Sequence, residues 1–155
     1  MEDEKKLIDY PQSVSLESTE KIIDQMKTAI CKIYMSDSRA TGFFTKIKYN
    51  EDKIRPVLIT NYHVINESQK QITISINNDQ KYINLESKII YMDKKYDIII
   101  IDIENYKGIN NYLEIDMDLF NRNINSYKNE SIYLLRCPGG KRVSVSYGII
   151  RGISE

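Results

Sequence analysis

The 155-residue chain has no net charge, because its 22 lysines and arginines are matched by 22 aspartates and glutamates. That balance excludes a polybasic binder held to phosphates, and equally an acidic interaction tail. Long hydrophobic runs are also missing. The longest is Ile98-Ile99-Ile100-Ile101, whereas a membrane-spanning helix needs about 20 apolar residues. The start, Met1-Glu2-Asp3-Glu4-Lys5-Lys6, puts no apolar stretch behind a basic end, so no secretory leader is expected. Cysteine is scarce. Cys31 and Cys137 are too few and too far apart for a metal motif or a disulfide framework, so a reducing, cytoplasmic location is expected. No repeat and no low-complexity tract interrupts the chain. These absences argue against nucleic-acid and membrane partners and imply no metal or cofactor; nothing in them fixes an oligomeric state.

The apolar fraction of 41% suffices for one packed domain. Residues 1–15 are charged, then polar, and contain Pro11, so a loose lead-in is expected. Ser18 is a helix-cap candidate with Glu20 in the first turn. Ile22, Ile23, Met26 and Ile30 recur at helical spacing, which predicts a helix over about Thr19–Thr28. Strand patterns follow: Ala29–Met35, Thr41–Tyr49, Arg55–Thr60 with its proline at a start or edge, Gln71–Ile76, Tyr82–Asp93 and Asp97–Ile103. Turns are expected at Asn50-Glu51-Asp52-Lys53 and Asn77-Asn78-Asp79-Gln80. Short strands spaced by roughly ten residues, without helices between them, predict an all-β, antiparallel barrel or sandwich. Residues 104–130 are weakly periodic and read as a linker, with a helical turn near Asp118–Phe120. Two more strands, Ser131–Arg136 and Val143–Arg151, are joined by Pro138-Gly139-Gly140-Lys141.

His63 is the only histidine. A solitary histidine is more often structural than catalytic. This one, however, lies just past a buried strand, in Val57-Leu58-Ile59-Thr60-Asn61-Tyr62-His63-Val64-Ile65, which places its ring at a core edge, and imidazole chemistry suits a general base. Asp97 opens the most apolar strand of the chain. Its ordinary role would be a charged strand end, which is the better reading of Asp102; its sharper role is a carboxylate that fixes a histidine tautomer.

Three stretches in order carry a resemblance: Ala40-Thr41-Gly42-Phe43-Phe44, then Leu58-Ile59-Thr60-Asn61-Tyr62-His63-Val64-Ile65, then Tyr96-Asp97-Ile98-Ile99-Ile100. Together they resemble the trypsin-like serine peptidases over about residues 29–155, and the intracellular and bacterial branch more than the secreted digestive one. The digestive branch has cysteine directly after its histidine, where this chain has Val64. The resemblance implies that His63 is the general base and Asp97 the carboxylate that orients it. It implies that Thr41 and Gly42 lie in the strand beneath the histidine, where a small residue lets a loop fold over closely. It also implies a chymotrypsin-like fold of two antiparallel barrels, divided here into a lead-in and helix (1–28), a complete first barrel (29–104), a linker (105–130) and the start of a second barrel (131–155). Polypeptide would be the substrate.

One departure bears directly on activity. The family's nucleophile is a serine in a Gly-x-Ser-Gly setting, and no such motif follows Asp97. Ser126, Ser131, Ser144, Ser146 and Ser154 all lack it. Cys137, in Arg136-Cys137-Pro138-Gly139-Gly140, is a strand-end cysteine rather than a thiol nucleophile. The expectation is therefore a serine endopeptidase truncated before its nucleophile, inactive as this chain alone. The alternative is a non-catalytic, peptidase-like binding or structural module.

Overall fold

The computed structural model describes residues 13–48, 50, 52–65, 68–116, 121, 123–137 and 143–151. Among these, one helix and nine strands form in chain order. The helix α1 spans Leu16–Thr28, and the strands are β1 Ile30–Tyr34, β2 Arg39–Lys48, β3 Ile54–Thr60, β4 Gln71–Ile76, β5 Asp79–Asn84, β6 Ile89–Asp93, β7 Ile98–Asp102, β8 Ser131–Arg136 and β9 Ser144–Ile149. The turns expected at Asp118–Phe120 and Pro138-Gly139-Gly140-Lys141, and nearly all of the N-terminal lead-in, lie outside the described residues. No helix among the described residues is long and apolar enough to cross a membrane, and Cys31 and Cys137 are free thiols.

Strands β1 to β7 build one antiparallel sheet in the order β5-β4-β1-β2-β3-β7-β6. Its two edges, β5 and β6, are consecutive in the chain and are joined only by 85–88. Flat, seven strands would separate their edges by about 29 Å, at ~4.8 Å per interval. The step from Asn84 to Ile89 reaches only about 17 Å even when fully extended. The sheet must therefore curl, and it forms a half-barrel with its apolar face inward.

That face holds Ile33, Phe44, Leu58, Ile72, Ile74, Ile83, Ile99 and Ile101, all essentially inaccessible. Even the four-isoleucine run obeys the strand period of two: Ile99 and Ile101 point into the core while Ile98 is exposed. Gly42 sits in a crowded part of that face. A Cβ there would lie 2.7 Å from Leu58 Cδ1 and 2.9 Å from Ile33 Cδ1. Its smallness thus serves the core, whereas the resemblance implied room for a loop.

Several boundaries differ from the sequence reading for local reasons. The helix is capped by Ser15, whose side chain accepts the Ser18 N–H, and it starts a turn earlier than expected. The first hairpin turn after β4 needs only Asn77 and Asn78, both in the left-handed region (φ 47° and 68°). Asparagine tolerates that conformation, and two such residues make the turn that suits twisted strands. Asp79 and Gln80 then already belong to β5. The expected single strand over Tyr82–Asp93 is broken at 85–88. There Leu85 enters the core, the Glu86 N–H donates to Asn84 Oδ1, and Ser87 takes φ 58°. Within the expected linker, Ile109 is buried in the core. The Leu113 N–H donates to the Phe44 carbonyl at 2.7 Å, and Thr45 Oγ1 donates to the Leu113 carbonyl at 2.6 Å. This part of the connection therefore straps the outside of β2.

Strands β8 and β9 form a separate two-stranded sheet. Such a hairpin is at best marginal alone, and this one is tied to the rest from within β8 and from the residue just past its end. Tyr133 Oη donates to Gln25 Oε1 of α1 (2.7 Å), and the Cys137 N–H donates to Thr41 Oγ1 of β2 (2.9 Å).

Gly42→Ala is expected to destabilise the chain by about 1–3 kcal/mol, the usual cost of overfilling a packed core. In a Leu58→Ala background, which vacates the nearest contact, the same change should cost clearly less. Urea unfolding midpoints of the four variants of this cycle test the pair; equal costs in both backgrounds would show that Leu58 does not set the requirement.

Candidate active site

His63 and Asp97 meet because of the β3–β7 register. Thr60 pairs with Ile99 at the end of that ladder, so the residues that follow on β3 and those that precede on β7 emerge side by side. Both chains leave the ladder there. Asn61 remains extended (φ −82°, ψ 143°), and Tyr62–Val64 then turns as a single 3₁₀ turn. Asp97 takes φ 56°, a left-handed conformation that aspartate tolerates better than most residues. The far end of the ladder is set by Pro56. Its carbonyl accepts the Ile103 N–H at 3.3 Å, but proline has no N–H to return, so the pairing stops there.

The geometry is that of an imidazole held by a carboxylate. His63 Nδ1 lies 2.6 Å from Asp97 Oδ2, and the backbone N–H of His63 donates to Oδ1 at 2.8 Å. The Asn61 side-chain amide adds two contacts, to Oδ2 at 3.2 Å and to the Asp97 carbonyl at 3.1 Å. These donors favour the charged carboxylate. The His63 N–H, first among them, then the ring and the Asn61 amide, hold the Asp97 carboxyl below the ordinary aspartate range against a smaller opposing effect of desolvation. An ionised carboxylate can only accept, so the proton between the two groups belongs to Nδ1; whenever the ring is neutral, the lone pair is then on Nε2. Nε2 has no partner among the described residues. The arrangement is open to water: the His63 side chain is 70% exposed and that of Asp97 40%.

A hollow of about 550 Å³ opens beside the ring, lined by Met35, Ser36, Asp37 and Ser38 of the β1–β2 turn and by Ser68, Gln69 and Lys70. Neither turn hydroxyl is bonded to the ring; Ser36 Oγ donates to Asp37 and Ser38 Oγ to Met35 Sδ. Ser144 and Ser146 lie within β9, opposite Arg136 and Leu134, and Ser126 in a 3₁₀ turn at Ile124–Tyr127. Ser154 lies outside the described residues. Cys137 is buried, its Sγ 3.9 Å from the Cys31 carbonyl. Burial pushes its thiol up, and burial does the same to Cys31, which is the opposite of an activated thiolate. Asp102 pairs with Arg55 at 3.3 Å, across β3 and β7.

Thr41 has a part that sequence reasoning did not assign to it. Its carbonyl accepts from Thr60 Oγ1 at 2.9 Å, and its hydroxyl receives the Cys137 N–H. It thus links the strand end that delivers His63 to the β8–β9 hairpin. Asn61 was missed altogether as a site residue. The available signal was an asparagine between a strand end and the only histidine, where asparagine commonly bonds nearby backbone groups. No protein-family model matches the chain, and no curated protein does.

Because the folded-state value of the Asp97 carboxyl lies below its unfolded value, the His63–Asp97 contact adds stability above the ordinary aspartate value of about 3.9, and this is lost as pH falls through the lower folded value. A ¹³C carboxylate titration should place Asp97 below the ordinary aspartate value of about 3.9, and His63→Ala should move it upward. An Asp97 midpoint at the ordinary value would show that these contacts do not persist in solution.

Proposed function

We propose that residues 29–155 belong to a trypsin-like serine endopeptidase, with His63 as general base and Asp97 as the carboxylate that orients it. The observation that carries this reading is the capture of His63 Nδ1 at 2.6 Å by a carboxylate that also takes the His63 backbone N–H. Two bonds to one carboxylate favour the Nδ1–H tautomer and so leave the Nε2 lone pair for the task of a general base. In this reading the curled sheet is the first of two antiparallel barrels, and β8–β9 is the first strand pair of the second. A serine hydroxyl would lose its proton to Nε2 as it attacks the peptide carbonyl. The ring would return that proton to the leaving amine, and water would then release the acyl group by the same route in reverse. Asp97 would stabilise the imidazolium through both steps. No metal or cofactor takes part in this chemistry.

The serine environment favours a second reading. No serine after Asp97 carries the Gly-x-Ser-Gly setting, so the 155 residues also fit a peptidase-like module that binds without cleaving. The two readings part at the coding sequence downstream of Glu155. A Gly-x-Ser-Gly within the next few dozen codons supports the enzyme, and the longer product should lose about 10³–10⁴-fold or more in peptide-ester turnover on His63→Ala. The 155-residue chain itself should show no turnover above its own His63→Ala background. A repurified activity that depends on His63 would instead reveal a nucleophile within these residues, with Ser144, Ser146, Ser154 and Cys137 the first to replace.

A further inference from the structure

We propose that Asn61 is the positioning residue of the dyad: its side-chain amide grips the carbonyl and the carboxylate of Asp97 together, fixing the orientation in which that carboxylate captures the His63 ring proton. The inference rests on the reading of His63 and Asp97 as base and orienting acid, and it assigns a role to a residue outside that pair.

Asp97 needs such a clamp. It lies just outside the β7 ladder, with a left-handed backbone (φ 56°) and a half-exposed side chain. Neither strand pairing nor core packing sets its side-chain torsions. Its ring partner is mostly exposed and can rotate as well. The side-chain hydrogen bond between two such exposed groups exchanges readily with water. The Asn61 amide changes this because it holds two acceptors of the same residue, the carbonyl at 3.1 Å and Oδ2 at 3.2 Å. Gripping both fixes the carboxylate relative to its own backbone. With Oδ1 already taken by the His63 N–H at 2.8 Å, Oδ2 is left aimed at Nδ1. The amide orientation is itself determined, because both neighbours are acceptors and only the NH₂ end can face them.

A second observation is independent of these distances. Asn61 occupies the residue before the 3₁₀ turn at Tyr62–Val64, where asparagine ordinarily caps the turn with its side chain. Here no such cap bond forms. The side chain instead reaches across to Asp97, the residue just before β7. Asn61 also continues directly from Thr60, whose hydroxyl is bonded to the Thr41 carbonyl, so the clamp extends from an anchored strand end.

The test uses the 155-residue chain, ¹⁵N-labelled at histidine, and reads the tautomer of the only imidazole by long-range ¹H–¹⁵N correlation on the alkaline side of its titration. The wild-type ring should be predominantly the Nδ1–H form, with a slowly exchanging downfield Nδ1 proton. Asn61→Ala should lower the ratio of Nδ1–H to Nε2–H forms by about threefold or more and broaden that proton away. Asn61→Asp, which keeps the shape but turns a donor into an acceptor facing an acceptor, should do at least as much. The backbone amide spectrum away from the site should be unchanged in both. Should Asn61→Ala fail to fold, the isosteric Asn61→Asp decides the matter alone. Asp97→Asn separates the two layers of the argument. If it shifts the tautomer while both Asn61 variants keep the wild-type ratio, the clamp is overturned and the dyad stands. If Asp97→Asn also leaves the ratio unchanged, the dyad and the clamp fall together.

Discussion

The pairing of β3 with β7 is the constraint on which the site depends. His63 and Asp97 are 34 positions apart in the chain, and only the pairing of Thr60 with Ile99 brings them together. A slip of one residue would reverse which isoleucines of β7 face the core, because side chains alternate along a strand. The register of the site is therefore held by the burial of Leu58, Ile99 and Ile101, all fully enclosed, rather than by the polar groups it positions. Arg55 with Asp102 adds a partly exposed ion pair at the opposite end of the same two strands; by itself it is worth little. The hydrophobic face sets the alignment, and the dyad takes its geometry from it.

The curl of the sheet is a second consequence of packing, and it places the hairpin. Closing seven strands around one apolar face crowds the concave side near β1, β2 and β3, which is why position 42 has no room for a Cβ. Thr41, on the same strand, then faces away from the core and is available for polar work. Its carbonyl and hydroxyl take one hydrogen bond each, from Thr60 and from Cys137. A glycine packed inward beside a threonine bonded outward is strand alternation at its simplest. The result is that the β3 end carrying His63 and the β8 end carrying Cys137 rest on one residue.

The legible parts of the sequence were those where burial follows a simple period. In Gln71–Ile76 isoleucines alternate with polar residues, and the expected bounds are the observed ones; those of Ser131–Arg136 also agree, although that strand is mostly exposed and shows no such period. The chain was less legible where a few residues decide. The break at 85–88 hinges on an asparagine side chain capturing the next-but-one N–H, a bond that hydrophobic periodicity does not register. The helix cap moved from Ser18 to Ser15 because both are serines at plausible positions, and only the Ser15 side chain meets a free N–H. Residues 104–130 read as a linker because their apolar positions are irregular. Ile109 and Leu113 nonetheless reach the core and β2 without forming a periodic element. His63 and Asp97 could be singled out because each adjoins a strong apolar run. Asn61 is only faintly signalled, by its place between a strand end and the histidine, because its role depends on the left-handed backbone of Asp97, which nothing in the neighbouring residues announces.

The exposure of the dyad defines what it can and cannot do. A carboxylate and an imidazole in contact with water can choose a tautomer, since that needs only one well-placed acceptor. They stabilise a developing charge poorly there, because the attraction between unit charges 4 Å apart falls to about 1 kcal/mol in water from several times that in a protein environment. A working acyl-transfer site must therefore exclude water from the face of the ring that carries Nε2 and supply donors for an oxyanion on that side. Among the described residues, the hollow beside the ring is lined by serines, Asp37, Gln69 and Lys70 and lies next to a largely exposed imidazole, so it does not exclude water. In the peptidase reading both would come from a second barrel closing over the exposed ring. One sheet would thus set which nitrogen carries the proton, and the facing one would give that choice its catalytic value.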